Sequence, residues 1–311
     1  MNKRQKQVAQ SLLLDEIAVI KELEKSYQQA LNDIDGVIAR LLARKDMQNL
    51  QSIIYQVKYQ EVLKKELEGF LSVLQSNNYK LIDDYLKDCY TNAHIGTLFD
   101  LQGQGVPLMI PLNQEQMISA ITVNSKLSAP LYNELGFNLQ SLKVDVMREI
   151  SRGIAQELSY QEIARNLKNT TNVDYNKSLR IAKTEGHRIQ NESIYNVQKK
   201  AVERGANIIK QWDATFDKRT RKTHAYLDGQ QVGVDEYFVN LNGYEALYPG
   251  DFGRPEEDIN CRCRITQRAK WALTDAEFTK MNGETNELQH FENVDDYNKF
   301  KKLFWGLEYG N

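Results

Sequence analysis

The chain has 311 residues, of which 41% are hydrophobic and 26% are charged, a composition typical of soluble globular proteins with a sizeable core. The formal net charge of -2 favours neither a nucleic-acid partner nor a membrane surface, and no apolar stretch approaches the roughly 20 residues that span a bilayer. Three cysteines are too few for a disulfide framework, so we expect synthesis in the reducing cytoplasm of a cell.

The first third of the chain has the pattern of long helices. No proline precedes Pro107, and apolar side chains recur at alternating spacings of four and three. The residues of this heptad seam are Leu13, Ile17, Ile20, Tyr27, Leu31, Ile34, Ile38 and Leu41. A second helix is expected from about residue 50 to a break at Asn77-Asn78, and a third over 79–92. We predict an extended helical hairpin over residues 1–102, with a partner-binding coiled coil as the alternative.

A linker with short helices is expected over residues 103–137, where Asn113 is a candidate helix N-cap. Ser159 and Glu162 form a capping pattern that opens a short helix over 163–167. A long basic helix follows over 176–204, and Gly205 is a candidate C-cap.

The pattern changes at Ile208. We predict strands over 208–214 and 261–266, with glycine-separated segments between them. The predicted fold class is α+β and predominantly helical: a long N-terminal helical hairpin, further helices, and a small C-terminal α+β domain with a short antiparallel sheet over residues 138–273. Residues 274–311 are expected to form an acidic linker and a C-terminal helix. Phe300, Phe304 and Trp305 on that helix would contact the core or anchor a partner.

Charge is unevenly distributed along the C-terminal half. Residues 177–224 contain 12 Lys or Arg and 5 Asp or Glu, whereas residues 234–258 contain seven acids and the single base Arg254. Such asymmetry predicts either pairing of the two segments within the chain or a local anion-binding patch.

The most specific pattern begins with the Trp212 strand. Residues 212–215 read Trp-Asp-Ala-Thr, 217–221 read Asp-Lys-Arg-Thr-Arg, 227–230 read Leu-Asp-Gly-Gln and 259–263 read Ile-Asn-Cys-Arg-Cys, with His224 in the interval. In this order the pattern resembles the C-terminal domain of phage Mu F-like minor head proteins, the phage head morphogenesis family. Upstream, Lys183-Thr184-Glu185 with Asn191 is similar to that family's helix motif, although the family usually has Arg in place of Lys183. The resemblance covers roughly residues 140–270.

The resemblance implies a structural minor head protein of a tailed bacteriophage. Such a protein would act in capsid assembly, associated with the portal, and would lie in the head interior of the virion. Its expected partners are the portal protein and capsid or scaffold proteins, with no membrane. In some relatives the protein leaves the head with the DNA, and relatives of the domain are also found joined to toxin domains.

Charged residues of the pattern are candidates for a structural network of Arg–carboxylate hydrogen bonds that fixes a loop. This predicted network consists of Trp212, Asp213, Asp217, Arg219, Arg221 and Asp228. The alternative is a DNA-binding role, in which basic side chains contact phosphates of double-stranded DNA. The candidates for that role are Lys218, Arg219, Arg221 and Lys222.

His224, Cys261 and Cys263 are candidate ligands of a structural zinc ion, because an imidazole and two thiolates suit that metal. The fourth ligand is open among Asp213, Asp228 and His187, and the simpler interpretation is two small buried cysteines that pack a strand.

An enzyme is the alternative class. A metal-dependent hydrolase or nuclease would use Asp213, Asp217 and His224, and a thiol enzyme would use a cysteine nucleophile activated by a histidine. The sequence contains no nucleophile elbow, phosphate-binding glycine loop or metalloprotease helix, so we expect no catalytic site.

Overall fold

A computed structural model describes residues 1–42, 53–126, 160–269, 278–282 and 287–291, together with scattered positions between 142 and 156. The chain divides into two compact units. The first consists of Met1–Glu16, Leu86–Ser128 and Lys183–Asn311, and the second of Ile17–Tyr85 and Ala129–Ala182. The four segments expected from the sequence, 1–102, 103–137, 138–273 and 274–311, stay a prediction.

Helices make up most of the described chain, which confirms the predominantly helical α+β class. They are α1 (Lys3–Leu42), α2 (Ile53–Gly103), α3 (Gln114–Thr122), α4 (Tyr160–Glu203), α5 (Lys222–Leu227) and α6 (Pro255–Asp258). Described positions between 142 and 152 are also helical. No helix within the described ranges has a segment long and apolar enough to cross a bilayer.

The first two helices run antiparallel, as the predicted hairpin requires. Within the first unit, the Arg4 guanidinium donates to the Phe99 carbonyl, with Nη1 2.6 Å from the oxygen. About three turns further along α1, the Asn92 amide donates to Asp15 over 3.0 Å. Residue numbers thus rise along α1 as they fall along α2.

Over the first half of α1, the residues predicted to be buried are not the ones that the fold buries. Tyr27 and Ile34 are buried, but Leu13, Ile17 and Ile20 are only half-buried. The buried stripe consists of Gln5, Ala9, Leu12, Val19, Leu23, Tyr27, Ala30, Ile34 and Val37. Adjacent apolar residues satisfy the same spacing of three and four on two neighbouring stripes, so periodicity alone could not choose between them. The side chains of Ile38 and Leu41 lie outside the described residues.

Two predicted helix boundaries were also wrong. α2 continues through Asn77-Asn78, and α4 runs without a break from Tyr160, where a short helix and a separate basic helix had been expected. An asparagine inside a helix costs less than about 1 kcal/mol relative to alanine, an amount that the burial of nearby Leu74 and Ile82 outweighs.

Both predicted caps that fall on described residues are confirmed. The Asn113 side chain accepts a hydrogen bond from the Gln116 backbone N–H over 3.0 Å at the start of α3. Gly205 follows the end of α4 with a φ of +90°, the left-handed conformation that favours glycine. Ser159 lies outside the described residues.

The described residues form three small antiparallel sheets. β1 (Ile208–Asp213) is the middle strand of the first, between β2 (Gln231–Val232) and β5 (Arg264–Ala269), and Trp212 lies opposite Ile265. β3 (Phe238–Val239) pairs with β4 (Glu245–Ala246), and β6 (Phe278–Asn282) pairs with β7 (Glu287–Phe291). The first strand is where the sequence predicts it. The last strand of the first sheet begins three residues later than expected, so Cys261 and Cys263 lie on the segment that enters it.

The hairpin of β6 and β7 replaces part of the linker that was expected after residue 274. The polar, acidic composition of this segment does not by itself distinguish a hairpin from a linker. The predicted aromatic helix, with Phe300, Phe304 and Trp305, and the expected breaks at Pro130 and Gly136 lie outside the described residues.

Candidate functional site

Trp212 lies at the centre of the core around the motif residues. Its side chain is fully buried, and its ring meets the rings of His224 and Phe238 edge-on, with centroid distances of 5.7 Å and 5.2 Å. Edge-on contacts of this kind add to the stabilisation that burial provides. Asp213, the next residue of β1, lies opposite Arg264 in the register with β5. The tryptophan strand therefore joins the sheet to the segment that carries His224.

Asp217 holds the loop after β1 through arginines on both sides. Its carboxylate is inaccessible to solvent, and the Arg262 guanidinium donates to both of its oxygens, with Nη2 2.7 Å from Oδ1. The backbone N–H of Arg219 donates to Oδ1 over 2.9 Å, and its guanidinium approaches Oδ2 at 3.2 Å. Burial alone would raise the pKa of Asp217, but the hydrogen bonds and charge of Arg262 outweigh it and hold that pKa below its ordinary value.

Two other charged residues of the predicted network bond to backbone groups. The Arg221 guanidinium donates to the Ile259 carbonyl over 2.6 Å, and Asp228 accepts from the Ala214 N–H over 2.8 Å. Arg262 was missed as the main partner of Asp217, although its place between the two cysteines was visible in the sequence. The loop is therefore closed by one bidentate pair and several side-chain-to-backbone bonds.

His224 and the two C-terminal cysteines meet in the buried core. His224 Nδ1 lies 3.3 Å from Cys263 Sγ and 3.5 Å from Cys261 Sγ. All three side chains are less than 5% exposed. Within the described ranges, these residues are the one His, Cys, Asp and Glu group whose ligand atoms converge closely enough for a metal ion.

Glu257 completes this cluster from the opposite side of the imidazole ring. Its Oε2 lies 2.9 Å from His224 Nε2, and it accepts from the Thr223 hydroxyl over 2.9 Å and the Asn240 amide over 3.2 Å. Sequence reasoning missed Glu257, which was one of several acids in residues 234–258 with nothing to mark it. Only the path of the chain brings it to His224.

The His224 imidazole lies between the Cys261 sulfur on one side and the Glu257 carboxylate on the other. Burial alone would lower the pKa of His224, but the Cys261 sulfur and the Glu257 carboxylate outweigh it and raise that pKa to about 9. A hydrogen bond from Cys263 and the nearby imidazole lower the pKa of the Cys261 thiol, whereas burial raises that of Cys263. The pKa of Glu257 is lowered, because the His224 hydrogen bond exceeds the effect of burial.

The motif residues of α4 hold the segment that carries the cysteines. The Thr184 hydroxyl accepts from the Asn260 N–H over 3.0 Å. Asn191 accepts from the Ile265 N–H over 2.9 Å and donates to the Cys263 carbonyl over 3.1 Å. The motif residues of α4 therefore contact the segment that begins with the Asn-Cys-Arg-Cys motif directly.

The other candidate ligands are engaged elsewhere. His187 Nε2 lies 2.9 Å from a Glu16 oxygen, and Asp228 caps the Ala214 N–H. Asp213 and Asp217 do not join His224 in any metal-binding group of the described residues, so the geometry does not assemble the ligand set of the hydrolase alternative.

The candidate DNA-contacting residues differ in exposure. Lys218, Arg219 and Lys222 are exposed, whereas Arg221 is half-buried against Ile259. Because Arg262 already balances Asp217, the charge of Arg219 is not fully cancelled by its own contact with that carboxylate.

Comparison with known proteins supports the sequence resemblance. Residues 144–266 match the model of the family described as Phage Mu protein F like protein, which confirms the resemblance over the region that carries the motifs. The matched segment includes β1, α5, α6 and the cysteines.

Two curated relatives match most of the chain. The chain is 30% identical over 285 residues to a protein of Enterococcus faecalis named NAD(+)--arginine ADP-ribosyltransferase EFV, covering 89% of this chain and 56% of that protein. It is 26% identical over 257 residues to Minor head protein GP7 of Bacillus phage SPP1, covering 79% of this chain and 80% of that protein. The chain therefore spans about half the length of the first relative. No solved structure matches significantly.

Proposed function

We propose that this Mu F-like chain is a structural minor head protein of a tailed bacteriophage, which acts in capsid assembly at the portal in the head interior. The observation that carries the proposal is the combined match to the family over residues 144–266 and to a phage minor head protein over 80% of that protein.

The chemistry of the motif residues supports an assembly role. Asp217, His224 and Glu257 are buried, and their polar side-chain atoms contact other residues of the same segment. Charged pairs with one buried partner rigidify a module, and buried acid–base groups offer no entry path to a substrate. The residues are therefore suited to holding one shape within an assembly.

We assign the contacts with portal, capsid or scaffold proteins to the helical hairpin. Both helices expose large apolar side chains, with Leu14 on α1 and Val73, Ile95 and Phe99 on α2. Exposed apolar side chains along a helix provide the contact area that partner helices bury. In this arrangement the Mu F-like segment is the rigid part, and the hairpin supplies the contacts.

The proposal is tested by mass spectrometry of purified virions and of proheads assembled with and without the portal protein. We expect the chain in virions and in portal-containing proheads, at a constant ratio to the portal protein, and its loss from portal-free proheads. The major capsid protein serves as the internal standard. Recovery of the chain only as free protein would contradict a structural role in the head.

Contact with packaged DNA is the second candidate function. The observation that favours it is the exposure of Lys218, Arg219 and Lys222 on one short stretch, next to a carboxylate that Arg262 already neutralises. Basic side chains so placed can approach phosphates without breaking a buried pair.

We propose no catalytic activity for this chain. The side chains with nucleophilic or acid–base chemistry around His224 are closed to solvent. Turnover of any substrate that required His224 would contradict this part of the proposal.

A further inference from the structure

The donor atoms of His224, Cys261 and Cys263 have the spacing of a tetrahedral metal site. Zinc bonds of about 2.3 Å to sulfur and about 2.0 Å to nitrogen place neighbouring nitrogen and sulfur ligands about 3.5 Å apart. Nδ1 of His224 lies 3.3 Å and 3.5 Å from the two sulfurs, and all three atoms lie within 4.8 Å of one another. The three side chains are thus arranged around a common point.

Hydrogen bonding alone gives a poorer account of this convergence. A ring nitrogen of histidine has either one hydrogen to donate or one lone pair to accept. Nδ1 of His224 can therefore satisfy only one of the two sulfurs that approach it.

Glu257 prepares the imidazole for a metal. Histidines that bind metals almost always donate the other ring N–H to a carboxylate or carbonyl, which fixes the tautomer. Glu257 Oε2 lies 2.9 Å from Nε2 of His224, on the side of the ring opposite the sulfurs, where a carboxylate favours a proton on Nε2 and leaves Nδ1 for a metal. Thr223 and Asn240 hold the carboxylate in turn, so the outer layer of the site is already built.

The backbone around the cysteines is also held in place. Asn260 adopts a left-handed φ of 55°, and its N–H is bound by the Thr184 hydroxyl. The Cys261 N–H donates to the Asp258 carbonyl over 3.1 Å, and the Cys263 carbonyl accepts from Asn191. These three hydrogen bonds hold the turn in the conformation that places both sulfurs next to His224.

We propose that His224, Cys261 and Cys263 bind a Zn²⁺ ion as a structural centre of the Mu F-like segment, with Glu257 as the residue that positions the histidine. Soft thiolate and imidazole ligands select zinc over calcium or magnesium. Two thiolates balance the charge of the ion in the buried core, and the protons carried by the imidazole Nδ1 and the thiols are released to solvent on binding. Within the described residues, no further His, Cys, Asp or Glu ligand atom joins these three, so the proposal covers three of the four tetrahedral positions.

Metal analysis of the full-length chain tests the site. The protein is produced in zinc-supplemented medium, purified without chelators and measured by inductively coupled plasma mass spectrometry. We expect about one zinc ion per chain in the wild type and at least a tenfold loss in Cys263→Ser and His224→Ala. Cys89→Ser is the matched control, because Cys89 is also a buried cysteine but contacts Gln190 and lies outside the cluster. Zinc retained in Cys263→Ser would overturn the assignment.

A second measurement needs no variant and therefore no assumption about folding. Cobalt exchanged into the wild-type protein should give the thiolate-to-metal charge-transfer absorption of a site with cysteine ligands. A wild type that is metal-free, shows no such absorption and has the same melting temperature with zinc and with chelator would remove the proposal. Incorporation into heads is not part of either readout, so failure of the metal site leaves the head-protein proposal untouched.

Discussion

At the scale of single residues, the loop after β1 depends on how Asp217 is neutralised. Its carboxylate is inaccessible to solvent, whereas the side chain of Arg262 is 28% exposed and that of Arg219 is 67% exposed. A contact in which the cation stays largely hydrated contributes little, because solvent screens its charge. The bidentate pair with Arg262 should therefore stabilise the loop far more than the contact with Arg219.

The first prediction concerns this carboxylate. Asp217→Asn should lower the free energy of unfolding by about 3 kcal/mol at neutral pH, because it breaks a buried charge pair. Arg219→Ala is the matched control and should cost about 0.5 kcal/mol. Urea unfolding followed by circular dichroism measures both. Equal losses in the two variants would show that Arg262 is not the main partner.

The pH dependence of this effect has a definite sign. The pKa of Asp217 is lower in the folded protein than its ordinary value of 3.8, so its contribution is complete above that value. The contribution is lost as pH falls through the lower, folded value. The difference between wild type and Asp217→Asn should therefore be constant from neutral pH down to about pH 5 and shrink below about pH 4. A difference that grows on acidification would contradict the assignment.

At the scale of elements, the end of α4 is fixed by a Schellman motif. The Gly205 N–H donates to the Val202 carbonyl over 2.8 Å, and the Ala206 N–H donates to the Ala201 carbonyl over 3.0 Å. The φ of +90° at Gly205 makes this pattern possible, and no neighbouring atom would obstruct a methyl group there. The requirement at this position is therefore conformational and not a matter of space.

Gly205 and Gly36 should respond in opposite directions to the same substitution. Gly205→Ala should destabilise the protein by about 1 kcal/mol, because an L-residue is strained in the left-handed region. Gly36 is exposed inside α1 and also has open space around it, so Gly36→Ala should stabilise the helix by about 0.5–1 kcal/mol. Thermal unfolding of the two variants measures both effects. Stabilisation by Gly205→Ala would rule out the Schellman geometry.

At the scale of the whole molecule, a net charge of -2 conceals a local excess of basic residues in 177–224. Part of that excess is balanced within the fold. Arg188 pairs with Glu185 and Glu192 of its own helix, each at 2.7 Å, in a buried position. Lys210 is fully buried and donates to the Leu247 carbonyl over 2.9 Å, and burial lowers its pKa to about 8. The bases of this segment that stay exposed are Lys218, Arg219 and Lys222 near the loop, and Arg180, Lys199 and Arg204 along α4.

A gel-shift assay with duplex DNA across rising salt tests that remaining charge. If Lys218, Arg219 and Lys222 contact phosphates, alanine at all three should weaken binding and reduce the slope of log affinity against log salt by roughly 2 to 3. Lys3, Lys21 and Lys25 are exposed on α1, and their triple replacement is the matched control. Equal binding by the two triple variants would remove DNA contact at this loop.

Local features of the fold were predictable because they are encoded over a few neighbouring residues. The first strand, the Asn113 cap and the Gly205 cap each depend on propensity or hydrogen bonding within one turn or strand. The long helices were predictable in kind but not in extent, since Asn77-Asn78 looked like a break. Burial outweighs the small cost of such residues, and burial depends on what packs against the helix.

By itself, the sequence determined the order of elements in the Mu F-like segment and the residue types available for its chemistry. The tertiary structure alone decided which of those residues meet: Arg262 with Asp217 across 45 residues, and Cys263 with His224 across 39. The reason is physical. A side chain's partner over such a separation depends on the path of the loops between, and those loops are placed by core packing that no local pattern specifies.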